Sequence, residues 1–469
     1  MRSYLAFDLG ASSGRAILGG LDGGRLVLRE VHRFKNYPDE RNGSFFWDFN
    51  HLLTEIKTGI RKACEAEKDI VSFSIDTWGV DYAVFRDGRL VRDPVCYRDP
   101  RNEKGREAFH RDIMSEEELY SLTGIQMMSF NTLFQLYAHK AEHPEDFAPD
   151  CRFFLMPDAL HYALTGAETT EYTIASTTAM LDPVRRVWHS ELLRRAGIPE
   201  QVLPPVEMPA TKTRLLKEEI AKELGVPRLA AVKVGSHDTA SAVASTPAGK
   251  GGPWAYISSG TWALLGAEIP DPVLADSARK AHYTNEGGFN GKIRFLTNIM
   301  GTWLLQETRH TWQEAGKDLG FGEMSAMAAA EPDKGFRFPP NDPSLLAPGD
   351  MPARIRSWFR DHGKPAPETD GELLRSIYDS LADCFRDSIR NLQDLLNVKF
   401  QVLHILGGAI RDEFLMKRTA EATGIPVRTG PLEATATGNI LAQMIAAGDL
   451  KDNEEARELV MKSVEVKDY

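Results

Sequence analysis

Residues 4–15 read YLAFDLGASSGR, and the fold turns on this stretch. Leu5, Ala6 and Phe7 are apolar and suit a buried strand, and Asp8 sets a carboxylate at its end. Gly10, Ala11, Ser12, Ser13 and Gly14 are all small. Backbone N–H groups can therefore converge on an anion, and the two hydroxyls add donors. Arg15 brings a fixed positive charge with several donors suited to phosphate oxygens. Ala16 to Leu18 read as a second strand turning back. Strand, polar turn and returning strand make a hairpin able to hold phosphate. Taken alone, the same residues also describe an ordinary hairpin with a Gly-rich turn.

The chain has 469 residues, too many for one core, so two or three domains are expected. With 42% hydrophobic and 26% charged residues, wholesale disorder is excluded. No run of about 18 apolar residues exists, and the N-terminus lacks a basic-then-apolar leader pattern, so no membrane partner is expected. A net charge of −11 argues against a nucleic-acid partner, while a small anionic ligand needs only a local site. Cys64, Cys96, Cys151 and Cys384 lie far apart without metal-ligand spacing. Reduced thiols in a cytoplasmic protein are the expectation.

Working outward, residues 4–9, 13–20 and 25–33 predict a three-stranded meander, with Asp22-Gly23-Gly24 as its second turn. Residues 49–66 carry Leu52, Leu53, Ile56, Ile60 and Cys64 near helical spacing. VSFSIDTWGVDYAVF, 71–85, alternates as a strand to Asp76, breaks near Gly79 and resumes; a further strand runs from Arg89 to Val95. Strand, helix, strand points to an α/β domain. YRDPR, 97–101, predicts a salt-bridged surface turn. Residues 116–123, 131–143, 158–165 and 190–196 read as helices, with Asn131 and Asp158 as N-caps. Pro204 and Pro205 mark a loop.

LAAVKVGSHDTASAVAS, 229–245, runs from an apolar strand through a polar turn into a small-residue helix. Asp238 there either caps the helix or, facing a cleft, acts as a base. His237 is a core residue or a substrate contact. TPAGKGGP, 246–253, predicts the seam between domains 1–245 and 246–469. WAYISSGTWALLG, 254–266, then repeats the plan of the opening stretch, with Ser258-Ser259-Gly260-Thr261 in the place of the first turn. Two such hairpins predict duplicated domains that present phosphate-binding turns to a shared central cleft. NIMGTWLLQ, 298–306, reads as a helix start with Asn298 as cap and Leu304 inward. Residues 336–352 are proline-rich and predict a loop. Residues 372–396 carry the longest apolar stripe, a core helix. Residues 402–424 predict a buried strand, a Gly407-Gly408 joint and a helix ended by Gly424. That joint lets a flat ring lie on the backbone or lets strand and helix pack closely. Pro431 to Ala434 precede a Gly- and Ala-rich helix, and the last fifteen residues read as a charged surface segment.

A phosphate turn in each half, followed by a Gly-Gly strand-to-helix joint, resembles the sugar kinase, heat-shock and actin superfamily. SHDTASA ahead of the seam narrows the resemblance to the FGGY carbohydrate kinases, over nearly the full length. DLGASSGR, IDTWGVDY, NTLFQL, LMPD, SHDTASAV, SSGTW, TNEGG and NIMGTWLLQ are similar to the members of that family that act on L-rhamnulose. The resemblance implies an α/β fold of two duplicated actin-like ATPase (ribonuclease H-like) domains. It implies transfer of the γ-phosphoryl group of ATP, with Mg²⁺ as cofactor, to the 1-hydroxyl of L-rhamnulose. Carried over by position, Ala11, Ser12, Ser13, Gly14, Arg15, Thr261, Asn298, Gln306 and Gly408 bind ATP. Gly79, His237, Asp238 and Thr239 bind the sugar, Asp238 accepts its proton, and Asp8 places Mg²⁺ through water. Many relatives in the family carry a third glycine after Gly407-Gly408 where this chain has Ala409, which puts the adenine contacts in question. Oligomeric state stays open, with a monomer the simplest expectation.

Three other readings compete. Gly10-x-Ser12-x-Gly14 matches the GxSxG elbow of serine hydrolases, but that elbow needs a helix directly after the serine. A non-catalytic sugar sensor could use the same fold, although no DNA-binding segment is expected ahead of the first strand. Among enzymes, the alternative is a kinase for L-fuculose or L-xylulose.

Overall fold

The opening stretch forms β1 (Ser3–Leu9) and β2 (Ser13–Asp22), and β3 (Arg25–Lys35) completes the meander. Every residue of β1 is buried because the strand is central. β2 pairs with it antiparallel, and Ile70–Thr77 pairs with it parallel on the other side. Ala230–Lys233 and Thr211–Leu215 extend the sheet beyond Ile70–Thr77. Helix α1 (Phe49–Ala66) buries Leu52, Ile56 and Ile60, worth roughly 1.5–3 kcal/mol apiece. Asp48 caps it by accepting the His51 N–H. Gly59 is required in α1, since a Cβ there would stand 2.6 Å from the Phe7 ring.

This computed structural model describes residues 2–249, 251–260 and 262–469. The second half repeats the plan. Trp254–Ser259 and Ala263–Ile269 form an antiparallel hairpin. Val402–Leu406 pairs parallel with the first strand of that hairpin, and Val427–Thr429 lies beyond it. Ile293–Ile299 flanks the returning strand, with Thr284–Gly287 outside it. In both sheets the first strand of the hairpin lies between its antiparallel return and a parallel neighbour.

The chain divides into two units. One comprises Met1–Ser245, Glu268–Phe295 and Ala434–Ser463; the other comprises Thr246–Ala267, Leu296–Glu433 and Val464–Tyr469. The break after Ser245 coincides with the start of the TPAGKGGP stretch, while two later segments belong to the first unit. Small residues explain why one of them returns. In the helix Ala434–Ala447, a Cβ on Gly438 would lie 1.8 Å from the Ser241 carbonyl oxygen, so only glycine allows this approach. Gln443 of that helix donates to the Leu5 carbonyl at 3.0 Å and accepts from the Ser72 hydroxyl at 2.7 Å.

Several expectations are corrected. Asp158 is no cap but lies inside the helix Met156–Thr165, fully buried and paired with Lys233 at 2.5 Å. Asn298 lies in the strand Ile293–Ile299, and the following helix, Trp303–Glu314, takes Thr302 at its N-cap; Leu304 is buried as expected. YRDPR leads into an unforeseen helix, Arg101–Asp112, so polar that only Asn102, Gly105 and Phe109 are buried. The strand after Asp87-Gly88 is only Arg89–Leu90, and Tyr82–Arg86 pairs with Cys151–Leu155 in a separate small sheet. The final segment is at the surface from Met461 onward, whereas residues 456–460 are mostly buried. The helix Asn453–Ser463 buries Ala456, Leu459 and Val460, and its Arg457 is paired with Glu268 at 2.7 Å.

The helix Asp370–Leu396 holds the predicted stripe, opened by a Thr369–Glu372 capping box and ended by Asn397 in the left-handed region. All four cysteines are free thiols, with Cys96 and Cys151 buried and Cys64 and Cys384 half-buried. Among the described residues, no helix is long and apolar enough to cross a membrane.

Candidate active site

Three aspartates of the first unit gather where its parallel strands end, the edge at which open α/β sheets bind ligands. Asp8 and Asp76 are register partners across β1 and Ile70–Thr77. Asp238 opens the helix Asp238–Ala244, and the Thr77 N–H bonded to the Ser236 carbonyl at 2.9 Å ties that approach to the neighbouring strand end. His237 stands at the N-cap position, and Asp238 is the first residue of the helix. Asp8 and Asp76 are buried, whereas the Asp238 side chain keeps 33% exposure, which a group meeting a substrate requires.

The two buried aspartates are held differently. Arg15 is the register partner of Asp8 across β1 and β2, and its Nη2 donates to Asp8 Oδ2 at 2.5 Å. Asn439 donates to Asp76 Oδ2 at 2.6 Å, while the buried Oδ1 has no hydrogen-bond partner. Burial pushes the Asp76 carboxyl well above the usual range, with Asp8 and Asp238 acting in the same direction against the Asn439 bond and Arg15. Crowded carboxylates with an unsatisfied oxygen suit a hard divalent cation. Among the described residues, no three such side chains form a cage of their own.

The first turn is a backbone device. Gly10 N–H bonds to Ser13 O at 2.9 Å, and Asn36 braces it, donating from its N–H to Ser12 O at 3.1 Å and from Nδ2 to Gly10 O at 2.8 Å. A Cβ on Gly14 would lie 2.2 Å from the Phe34 ring. Ala11, Ser12 and Ser13 form the tip, and Ser12 is exposed. A strand follows the turn, so the hydrolase elbow is ruled out.

Gly79 and His237 meet beside Asp238. A Cβ on Gly79 would stand 3.4 Å from His237 Nε2 and 3.5 Å from Thr177 Oγ1, and His237 Nε2 lies 3.5 Å from Asp238 Oδ1. Thr239 gives its N–H and hydroxyl to the Asp238 carboxylate. Asp81 pins the Gly79 loop by accepting from the indoles of Trp47, at 2.6 Å, and Trp78, at 2.9 Å; burial pushes its carboxyl up to about 6. Glu171 accepts the N–H groups of Thr173, Ile174 and Ser236, and burial pushes it up to about 7.

The second turn lies in the other unit, and Thr261 falls outside the described residues. The Gln306 Nε2 donates to Thr302 Oγ1 at 2.9 Å, and the Thr302 hydroxyl donates to the Gly260 carbonyl at 2.6 Å. Gln306 is thereby tied to the turn, whereas Asn298 is placed by its strand. Gly407 has φ 83° and no room for a Cβ, which would sit 2.7 Å from Ser259 O. Gly408 faces open space, and Ala409 is buried.

Asp76, Asn439, Asn36, Glu286 and Arg294 were not singled out from sequence. Glu286 and Asp76 had a signal, inside TNEGG and IDTWGVDY.

The model of the N-terminal domain of the FGGY family of carbohydrate kinases matches residues 3–245, and that of the C-terminal domain matches residues 255–447. The chain belongs to the FGGY family. It is similar to a rhamnulokinase of Bacteroides thetaiotaomicron, 40% identical over 100% of this chain and 96% of that one. A rhamnulokinase of Enterococcus faecalis is also 40% identical, over 100% and 94%. Among solved structures, a gluconate kinase from Lactobacillus acidophilus aligns with TM-score 0.82 at 16% identity, over 99% of this chain and 93% of that one. A Plasmodium falciparum glycerol kinase with ADP aligns with TM-score 0.80 at 16% identity, over 99% and 94%. This FGGY protein is a carbohydrate kinase, and the solved neighbours share its fold.

Proposed function

We propose that this kinase transfers the γ-phosphoryl group of ATP to the 1-hydroxyl of L-rhamnulose, giving L-rhamnulose 1-phosphate and ADP. The observation that carries the proposal is the part-exposed carboxylate of Asp238, beside Gly79 and His237 at the strand ends that also hold Asp8 and Asp76. Phosphoryl transfer asks for positioning and charge stabilisation more than covalent help. Asp238 takes the hydroxyl proton as the new O–P bond forms. Gly79, His237 and Thr239 position the sugar. Residues Ala11 to Gly14 offer N–H groups and hydroxyls to the phosphates, and Arg15 both orients Asp8 and adds positive charge. In the second unit, Thr261, Asn298, Gln306 and Gly408 take the rest of the nucleotide. Mg²⁺ bound with ATP supplies charge neutralisation, and Asp8, with Asp76 beside it, would hold its water shell.

The first unit, residues 1–245 with 268–295 and 434–463, is assigned to sugar and phosphate, and the second unit to nucleotide. The monomer is taken as the working unit. Use of ATP and four free thiols fit the cytoplasm. The test is ADP release with L-rhamnulose, L-fuculose, L-xylulose and glycerol side by side. The expected result is preference for L-rhamnulose. Preference for another ketose would reassign the substrate, and no release with any acceptor would favour a sensor.

A further inference from the structure

We propose that Arg294 is a positioning residue that locks His237 in the tautomer presenting Nε2–H to the sugar. The proposal deepens the sugar-site assignment above and rests on it. Arg294 stands in the strand Ile293–Ile299 with a fully buried side chain. Its Nε donates to the Gly287 carbonyl at 2.9 Å. Its Nη2 lies 2.9 Å from Glu286 Oε2 and 2.9 Å from His237 Nδ1. The two hydrogens of Nη2 match these two acceptors.

A guanidinium has only donors and keeps its proton. His237 Nδ1 must therefore offer its lone pair to Arg294, and the single proton of the neutral ring sits on Nε2. One contact pulls the other way: Glu286 Oε2 lies 3.4 Å from Nδ1 and would accept a proton there. That distance is long for a hydrogen bond, whereas the Arg294 contacts are at its usual length. Glu286 is also already engaged by Arg294.

The consequence falls on the substrate. Nε2 faces the space left by the missing side chain of Gly79, with Asp238 Oδ1 at 3.5 Å. In the locked tautomer a sugar hydroxyl meets a donor from His237 and an acceptor from Asp238. In the other tautomer it would meet two acceptors, and a hydroxyl has one proton to give. The class of ligand selected is thus a hydroxyl that accepts and donates at once.

A double-mutant cycle tests this. Arg294→Met is combined with Glu286→Gln so that no unpaired charge is buried. With His237 present, the pair is expected to raise KM for the ketose about 10- to 100-fold, as loss of one well-aligned buried hydrogen bond does. KM for ATP should stay within about twofold. His237→Gln places an amide donor near Nε2 that does not depend on Arg294, and in that background the same pair should change ketose KM by no more than about threefold. Equal losses in both backgrounds would overturn the proposal. Selective ¹⁵N-histidine NMR of the unmutated free enzyme gives an independent readout. A protonated Nε2 on His237 is expected, and a protonated Nδ1 would overturn the proposal whatever the substrate. If His237→Ala leaves ketose KM unchanged, the sugar-site assignment fails instead, and the proposal falls with it even where NMR finds the expected tautomer.

Discussion

Where the first hairpin sets Asp8 opposite Arg15 and beside Asp76, the second sets Ser258 opposite Leu264 and beside Leu406. The backbone frame is shared: antiparallel return, parallel neighbour, small-residue turn. The charges are not. A turn of N–H groups can meet an anion without side-chain charge, so duplication of the frame explains why both halves carry one. Carboxylates are costly to bury, as the raised Asp76 shows, and of the register positions compared only those of the first hairpin carry them. Under the proposed function, this difference gives proton transfer and metal placement to the first half and leaves the second to recognise a ligand by shape and backbone.

The largest effect that would break this contrast is at Asp238. Asp238→Asn should lower kcat about 10²- to 10⁴-fold, the usual worth of a general base. Asp8→Asn should lower kcat by about 10²-fold and raise the metal concentration needed for half-maximal rate, read from kcat against Mg²⁺. Next comes stability. Glu171 titrates near 7 in the folded chain against a reference of 4.5, so its contribution is complete below about 4.5 and lost as pH rises through about 7. Urea unfolding should show that decline in the parent, on the order of 3 kcal/mol, and its absence in Glu171→Gln. In the neutral half, Gly407→Ala forces a side chain into the left-handed region and against Ser259 O. It should cost roughly 1–3 kcal/mol and raise KM for ATP while sparing KM for the ketose. The smallest effect is expected for Ser258→Ala, within about twofold in kcat, because no charge is removed. A loss there matching that of Asp8→Asn would erase the contrast.

Much of this frame could be read from residue order. Both hairpins, α1, the long helix and the Gly407 joint are local patterns of periodicity and turn chemistry. What failed was tertiary. Asp158 looks like a cap until Lys233, 75 positions away, is placed beside it. Asn298 has cap chemistry but sits in an alternating run, IRFLTNI, that the sheet claims. Arg457 reads as surface charge until Glu268 is packed against it. Asp8, Arg15, Gly79, His237 and Asp238 were singled out from their motifs. Asn439 and Arg294 were not, because each works on a residue far away in sequence.

Titration of a nonhydrolysable ATP analogue into Asp238→Asn, set against its turnover, tests the division of labour most directly. The expected result is nucleotide affinity within about twofold of the parent beside a turnover loss of at least about 10²-fold. Affinity falling in step with turnover, or turnover unchanged, would contradict it.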